Sequence, residues 1–202
     1  MTNDKIKAVL FDADGVTITP KEPFSVQYAK LHGLDPKILS SFFDAHFGEA
    51  LIGKRDLKEL LETKRDLWEW KGPIENLLTN WFEAENHKNQ ELLILIHQVR
   101  ATGLSCYLAM NQEKYRSKYI KEIMFPEVFD FIYSSAEIGM KKPDPKYYQY
   151  IINELQNAHV IHEPGEIVYF DDSVSNVQAA KDLGLQAHLY TGVEQVKKVM
   201  LS

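Results

Sequence analysis

Apolar residues in this chain gather in short runs that stop at polar ones. Residues 8–11 (Ala-Val-Leu-Phe) stop at Asp12, residues 104–110 at Asn111, and residues 167–170 at Asp171. Residues 129–133 and a weaker run over 186–190 have the same character. A strand with one wet face alternates apolar and polar positions. These runs do not, so they read as strands covered on both faces, as in a parallel sheet. Helical patterns lie between them: 89–101 with Gly103 as its cap, 113–124, 145–156, and 173–183 closed by Gly184. Strands alternating with helices predict an α/β fold, a parallel sheet flanked by helices.

One stretch breaks that rhythm. Between about residues 20 and 86 no run has strand character, and helical spacing recurs over 40–50, 54–70 and 74–83. Leu57, Leu60, Leu61, Lys64 and Trp68 follow one such face. Trp68, Trp70 and Trp81 are expected to fill a core or an interface. The segment reads as an all-helical insertion after the first strand. The expected division is therefore a core of residues 1–19 and 87–202, with a small helical domain over 20–86.

Composition narrows the class. A chain of 202 residues, 45% hydrophobic and 26% charged, fits one globular domain, or one plus a small insertion. A net charge of −6 without a run of Lys or Arg argues against a nucleic-acid partner. Its one cysteine, Cys106, lies in an apolar run and reads as a buried structural thiol. Residues 1–7 lack the apolar core of a secretory signal, and the longest apolar stretch, 92–96, is far too short to span a membrane. The expectation is a cytoplasmic protein, monomer or homodimer, without a membrane partner.

The candidate chemistry sits where the strands end. A parallel sheet brings the loops after its carboxyl ends to one edge, where ligands bind. Asp12 and Asp14 share one tight loop before Gly15, and Asp171 and Asp172 end another strand. One pair alone reads equally well as a surface turn, and Asp172 as a helix cap. Two carboxylate pairs at one edge repel unless a cation joins them, and hard oxygen ligands suit Mg2+. Lys142 precedes a rigid Pro143-Asp144-Pro145 with Asp144 placed as N-cap, so it can neutralise an aspartate and a phosphoryl group together. The seven histidines show no zinc spacing. Lys54 and Arg55 are candidate anion contacts from the insertion, although a solvated helix face accounts for them more simply.

Four segments in order, FDADGV, YLAMNQ, GMKKPDP and YFDDSVSN, resemble the four motifs of the haloacid dehalogenase superfamily. The resemblance covers nearly the whole chain and implies a Rossmann-like core with strand order 3-2-1-4-5 and a helical cap of the C1 type. It implies that Asp12 is the nucleophile that becomes phosphorylated and that Asp14 is the general acid/base. Mg2+ would be held by the Asp12 carboxylate, the Asp14 backbone carbonyl and Asp172, with Asp171 as a ligand or an outer partner of one. Lys142 matches the third-motif lysine, and Lys141 has no assigned role. An acid two residues after the nucleophile separates phosphatases from halide-displacing members, because an alkoxide leaving group needs a proton.

The second motif departs from the pattern. Met110 stands where the family carries Ser or Thr as a hydrogen-bond donor to the phosphoryl group, and a thioether cannot donate. Loss of one preorganised donor costs about 10²–10³ in rate. Asn111 or loop N–H groups are the candidate replacements. The expected function is Mg2+-dependent hydrolysis of a small phosphomonoester, such as a sugar phosphate. A phosphosugar mutase and a weakly active or non-catalytic phosphate-binding protein are the alternatives.

Overall fold

The computed structural model describes residues 6–200. Strand β1 (Ala8–Asp12) is buried along its whole length. The chain then enters helices: α1 (Phe24–His32), α2 (Pro36–Phe42), a π-helical stretch Phe43–Phe47, α3 (Gly48–Ala50), α4 (Leu57–Thr63), a 3-10 turn Arg65–Trp68 and α5 (Ile74–Ala84). From there α6 (Gln90–Ala101) leads to β2 (Ser105–Met110), α7 (Lys114–Tyr119) with a π-helical stretch Ile120–Met124, and β3 (Phe131–Ser134). Next come α8 (Ser135–Ile138), α9 (Pro145–Asn157), β4 (Ile167–Asp171), α10 (Val174–Asp182), β5 (Gln186–Leu189) and α11 (Val193–Met200).

The strands form a single parallel sheet in the order β3-β2-β1-β4-β5, as the resemblance implied. Each face of the sheet has its own core. Val9 and Phe11 pack with Cys106, Leu108, Phe170 and α6 residues, whereas Ala8 and Leu10 pack with Tyr147, Tyr148 and Ile151 of α9. Burial on both faces is why the strand runs do not alternate. Among the described residues, no helix is long and apolar enough to cross a membrane.

The helices between β1 and α6 close around an aromatic cluster of their own. Phe24 stacks on Trp68 and Trp81 with ring centroids 6.3 and 6.1 Å apart. Trp68 and Trp81 are buried, while Trp70 lies at the margin of this cluster. Gly53, at φ 71°, marks a close approach to the sheet domain. A Cβ there would fall 2.5 Å from the Ala136 carbonyl oxygen, so the turn after α3 lies directly against α8.

Several boundaries differ from the sequence reading. The helix expected over 54–70 starts only at Leu57, because the Asp56 carboxylate accepts from the Lys58 N–H at 2.8 Å and caps the helix there. It ends where Lys64 leaves helical geometry at φ −118°, and Arg65–Trp68 tightens to 3-10. The helix expected over 40–50 begins earlier, at Pro36, with Asp35 as its cap. Helix α1 lacks a side-chain cap at Pro23, which left it without a start signal. Strand β3 begins at Phe131, and the preceding Asp130 is tied to β2 through its carboxylate, which accepts from the Cys106 N–H and from Arg100, each at 2.7 Å.

Candidate active site

The carboxyl ends of β1, β2 and β4 open onto one crevice. Asp12 stands at the end of β1, only 8% exposed, and its Oδ1 accepts from the Ala13 N–H at 2.6 Å. The Thr17 hydroxyl donates to the Asp12 carbonyl at 3.0 Å and so fastens the loop that follows. Lys142 reaches in from the segment before α9. Its buried Nζ stands 2.5 Å from Asp12 Oδ1 and 2.8 Å from Asp171 Oδ2. Helix α9 starts as expected, with Pro145 in its first turn and Asp144 Oδ1 accepting from the Lys146 N–H at 2.9 Å.

These charges hold one another. Burial pushes the Asp12 carboxyl well above its ordinary range; Lys142 opposes that shift and Asp171 adds to it. For Lys142, burial works against the ammonium, but Asp12 and Asp171 outweigh it and raise its pKa. For Asp171, burial is likewise outweighed, by the charge and hydrogen bond of Lys142 and by further donors, so its carboxyl titrates below the ordinary value.

The two acids that end β4 divide their work. Asp171 is fully buried, and its oxygens accept from Lys142, the Tyr169 hydroxyl, the Ser173 N–H and the Asn176 amide. Burial, together with Asp12 and Asp171, keeps the Tyr169 hydroxyl protonated and therefore a donor. Asp172 is exposed and pairs with no cation among the described residues. Carboxylate oxygens of Asp12, Asp171 and Asp172 lie within 4.8 Å of one another. Such an all-oxygen set suits a hard divalent cation. Because the Asp171 oxygens are already satisfied, Asp12 and Asp172 are the carboxylates with room to coordinate. Burial and the neighbouring Asp171 raise the Asp172 carboxyl above its ordinary value. Gly15, at φ 83°, is required beside it: a Cβ there would fall 1.9 Å from Asp172 Oδ2.

Asp14 is held from the β2 side. Its Oδ1 accepts from Arg116 at 2.9 Å and its Oδ2 from the Gln112 amide, leaving 49% of the side chain exposed. Asn111 does not reach out as a free ligand. Its Nδ2 donates to the Lys142 carbonyl and its Oδ1 accepts from the Lys142 N–H, both at 2.9 Å. Met110 is the predicted site residue whose side chain is not brought to the others. It is fully buried in the apolar cluster with Cys106 and Leu108, on the face opposite Ala109, which is in register with Asp12. Lys141 lies under the insertion, its Nζ 3.7 Å from where a Gly48 Cβ would stand.

The sequence profile of the haloacid dehalogenase-like hydrolases matches residues 6–184, most of the chain and all four motifs. The chain belongs to this family. It is 25% identical over 191 residues to D-ribitol-5-phosphate phosphatase of Bacteroides thetaiotaomicron, covering 90% of each chain. It is 24% identical over 186 residues to a phosphorylated carbohydrates phosphatase of Thermotoga maritima, covering 90% of this chain and 83% of that one. A 57-residue match to bifunctional epoxide hydrolase 2 of Rattus norvegicus is 37% identical but spans only 9% of that protein's length. The fold is shared with a family enzyme of Bacteroides thetaiotaomicron solved with magnesium, at TM-score 0.80 and 22% identity, covering 98% of this chain and 100% of that one.

Sequence reasoning did not single out Arg116 or Glu85, and it gave no role to Gln112 or Tyr169, although both lie within quoted motifs. Arg116 lies in an ordinary helical stretch, and its partner Asp14 is 102 residues away, so no local pattern marks it. Asn176 belongs to the fourth motif as quoted, yet only the fold shows that it donates to Asp171.

Proposed function

We propose that this family member is a Mg2+-dependent phosphatase that hydrolyses a small phosphomonoester, a sugar or polyol phosphate, through a phospho-aspartate at Asp12. The observation that carries this reading is Asp12 itself: a strand-end carboxylate paired with a buried lysine and within coordination reach of a second, exposed carboxylate, Asp172. The names of the Bacteroides and Thermotoga relatives, both phosphatases of phosphorylated polyols or carbohydrates, support the substrate class.

Asp12 and Asp172, with the Asp14 backbone carbonyl, are the groups that would hold Mg2+. Once bound, the ion neutralises charge on the phosphoryl oxygens. An Asp12 oxygen attacks phosphorus as the bond to the leaving oxygen breaks. Lys142 offsets the charge that accumulates between Asp12 and the phosphoryl group. Asp14 gives its proton to the leaving oxygen, then takes one from the water that hydrolyses the phospho-aspartate. Asp171 keeps Lys142 in place. The helical segment over 20–86 serves as the cap that closes over the crevice and excludes water.

The test is phosphate release from a panel of sugar and polyol phosphates, with and without Mg2+, with Asp12→Asn as control. Release that requires both Mg2+ and Asp12 is expected. A folded protein that binds Mg2+ and releases nothing would overturn the reading. One observation favours a second reading, a phosphate-ester binder without turnover: the buried Met110 gives the crevice no hydroxyl where the family pattern has one. Saturable binding of the esters without release would establish it.

A further inference from the structure

Arg116 is a buried charged side chain outside the four motifs that pairs with two carboxylates, and the proposed chemistry above gives it no task. It is 6% exposed and rises from α7 between the crevice and the helical insertion. One guanidinium nitrogen, Nη2, donates to Asp14 Oδ1 at 2.9 Å. The other, Nη1, stands 2.5 Å from Oε2 of the buried Glu85. Glu85 Oε1 in turn accepts from the Phe24 N–H at 2.7 Å.

The placement of these partners matters. Phe24 opens α1 and Glu85 directly follows α5, so the Glu85 carboxylate pins together the two ends of the insertion. The connections run side by side there, with the Thr19 N–H bonded to the His87 carbonyl at 2.7 Å and the Asn89 N–H to the Thr17 carbonyl at 2.9 Å. A planar guanidinium presents its donors in a fixed fork, so it transmits the position of one carboxylate to another. Gln112, on the same side, holds the second Asp14 oxygen. An aspartate on a glycine-flanked loop with half its side chain exposed would otherwise sample several rotamers.

We propose that Arg116 is a positioning residue for leaving-group protonation, fixing the Asp14 carboxyl in its working orientation and tying that orientation to the base of the helical insertion. This rests on the phosphatase reading above. In the first half-reaction the Asp12–phosphorus bond forms, the bond from phosphorus to the alcohol oxygen breaks, and the Asp14 proton goes to that oxygen. An alkyl leaving group needs the proton and a nitrophenolate does not. Misplacing Asp14 therefore penalises one ester class selectively, whereas a general loss of structure penalises both.

The experiment is a first-turnover measurement, with enzyme in excess over ester, of alcohol release from an alkyl phosphate and from 4-nitrophenyl phosphate. Wild type, Arg116→Ala, Arg116→Lys and Glu85→Gln are compared in the presence of Mg2+. Arg116→Ala is expected to slow alkyl release by about 10²-fold while leaving the nitrophenol burst near wild type. Arg116→Lys restores part of the loss. Glu85→Gln, which removes the buried charge and can accept only one of the two bonds, shows the same split to a smaller degree and carries the test if Arg116→Ala does not fold. Equal slowing of both esters, or slowing of neither, would overturn the assignment. A wild-type protein that releases neither alcohol would instead overturn the phosphatase reading itself.

Discussion

The Asn111 side chain grips the backbone of Lys142 at both ends, donating to its carbonyl and accepting from its N–H, each at 2.9 Å. Asn111 follows β2, whereas Lys142 lies in the connection between α8 and α9. The ammonium that serves Asp12 is therefore aimed by a side chain from the neighbouring motif. Removing this grip frees the backbone and loosens the aim of the lysine. Asn111→Ala is expected to lower kcat for phosphate release by up to about 10²-fold, because small displacements of a positioned charge are costly. Steady-state kinetics on the best ester of the panel check this, and an unchanged kcat would show that the lysine is aimed without the clamp.

Lys142 itself stands between two carboxylates that have almost no contact with water. Lys142→Met leaves Asp12 and Asp171 buried without their cation. Breaking such a pair from one side costs roughly 3–5 kcal/mol. Thermal unfolding at neutral pH should show the variant strongly destabilised without metal and partly restored by Mg2+. A wild-type melting temperature without metal would show that the pair is not held in this way.

Gly15 governs Asp172 rather than the turn alone. In Gly15→Ala the new methyl carbon would collide with the Asp172 carboxylate, falling 1.9 Å from Oδ2, and the backbone would be strained at φ 83°. Weaker Mg2+ binding by about 10–100-fold is the expected result, as when an outer partner of a metal ligand is lost. Calorimetric titration with Mg2+ reads it directly, and unaltered affinity would remove Asp172 from the metal set.

Asp56 links the insertion to the sheet domain through Lys114 and Tyr115, while also capping α4. Burial opposes its charge, but bonds from Lys114, Tyr115 and the N–H groups of Lys58 and Glu59 outweigh burial and bring its pKa to about 2, from an ordinary 3.8. A carboxylate lowered in the folded state adds stability above its unfolded pKa and loses it as pH falls through the folded one. Stability worth about 1–2 kcal/mol should therefore be present at pH 5 and lost toward pH 2, allowing for partial screening. Asp56→Asn should lack that increment at pH 5 and lose less on acidification, as read from denaturant midpoints across this range. Identical pH slopes for both proteins would remove Asp56 from the account.

Much of the fold was legible because its signals are local. A strand buried on both faces must be apolar throughout, so the runs ending at Asp12, Met110 and Asp171 announced themselves. Asp144-Pro145 marked the start of α9 for the same reason: cap and first turn are adjacent in sequence. Helix α1 and the break after Lys64 were less legible. Helix α1 has no side-chain cap, and the break is decided by packing inside the aromatic cluster of Phe24, Trp68 and Trp81.

The chain alone determined that two aspartate pairs would meet at the carboxyl edge of a parallel sheet, because each pair follows a strand whose direction the α/β alternation fixes, while Lys142 was placed with them only by the resemblance. Only the tertiary structure decided which partner each acquires. It surrounds Asp171 with donors and leaves Asp172 open, commits Asn111 to Lys142 rather than to solvent, and turns Met110 into the apolar cluster. It also joins Asp14 to Arg116 and Glu85. Hydrogen-bond partners far apart in sequence become neighbours only when strand order and helix placement fold their loops together, and no local pattern of residues records that distance.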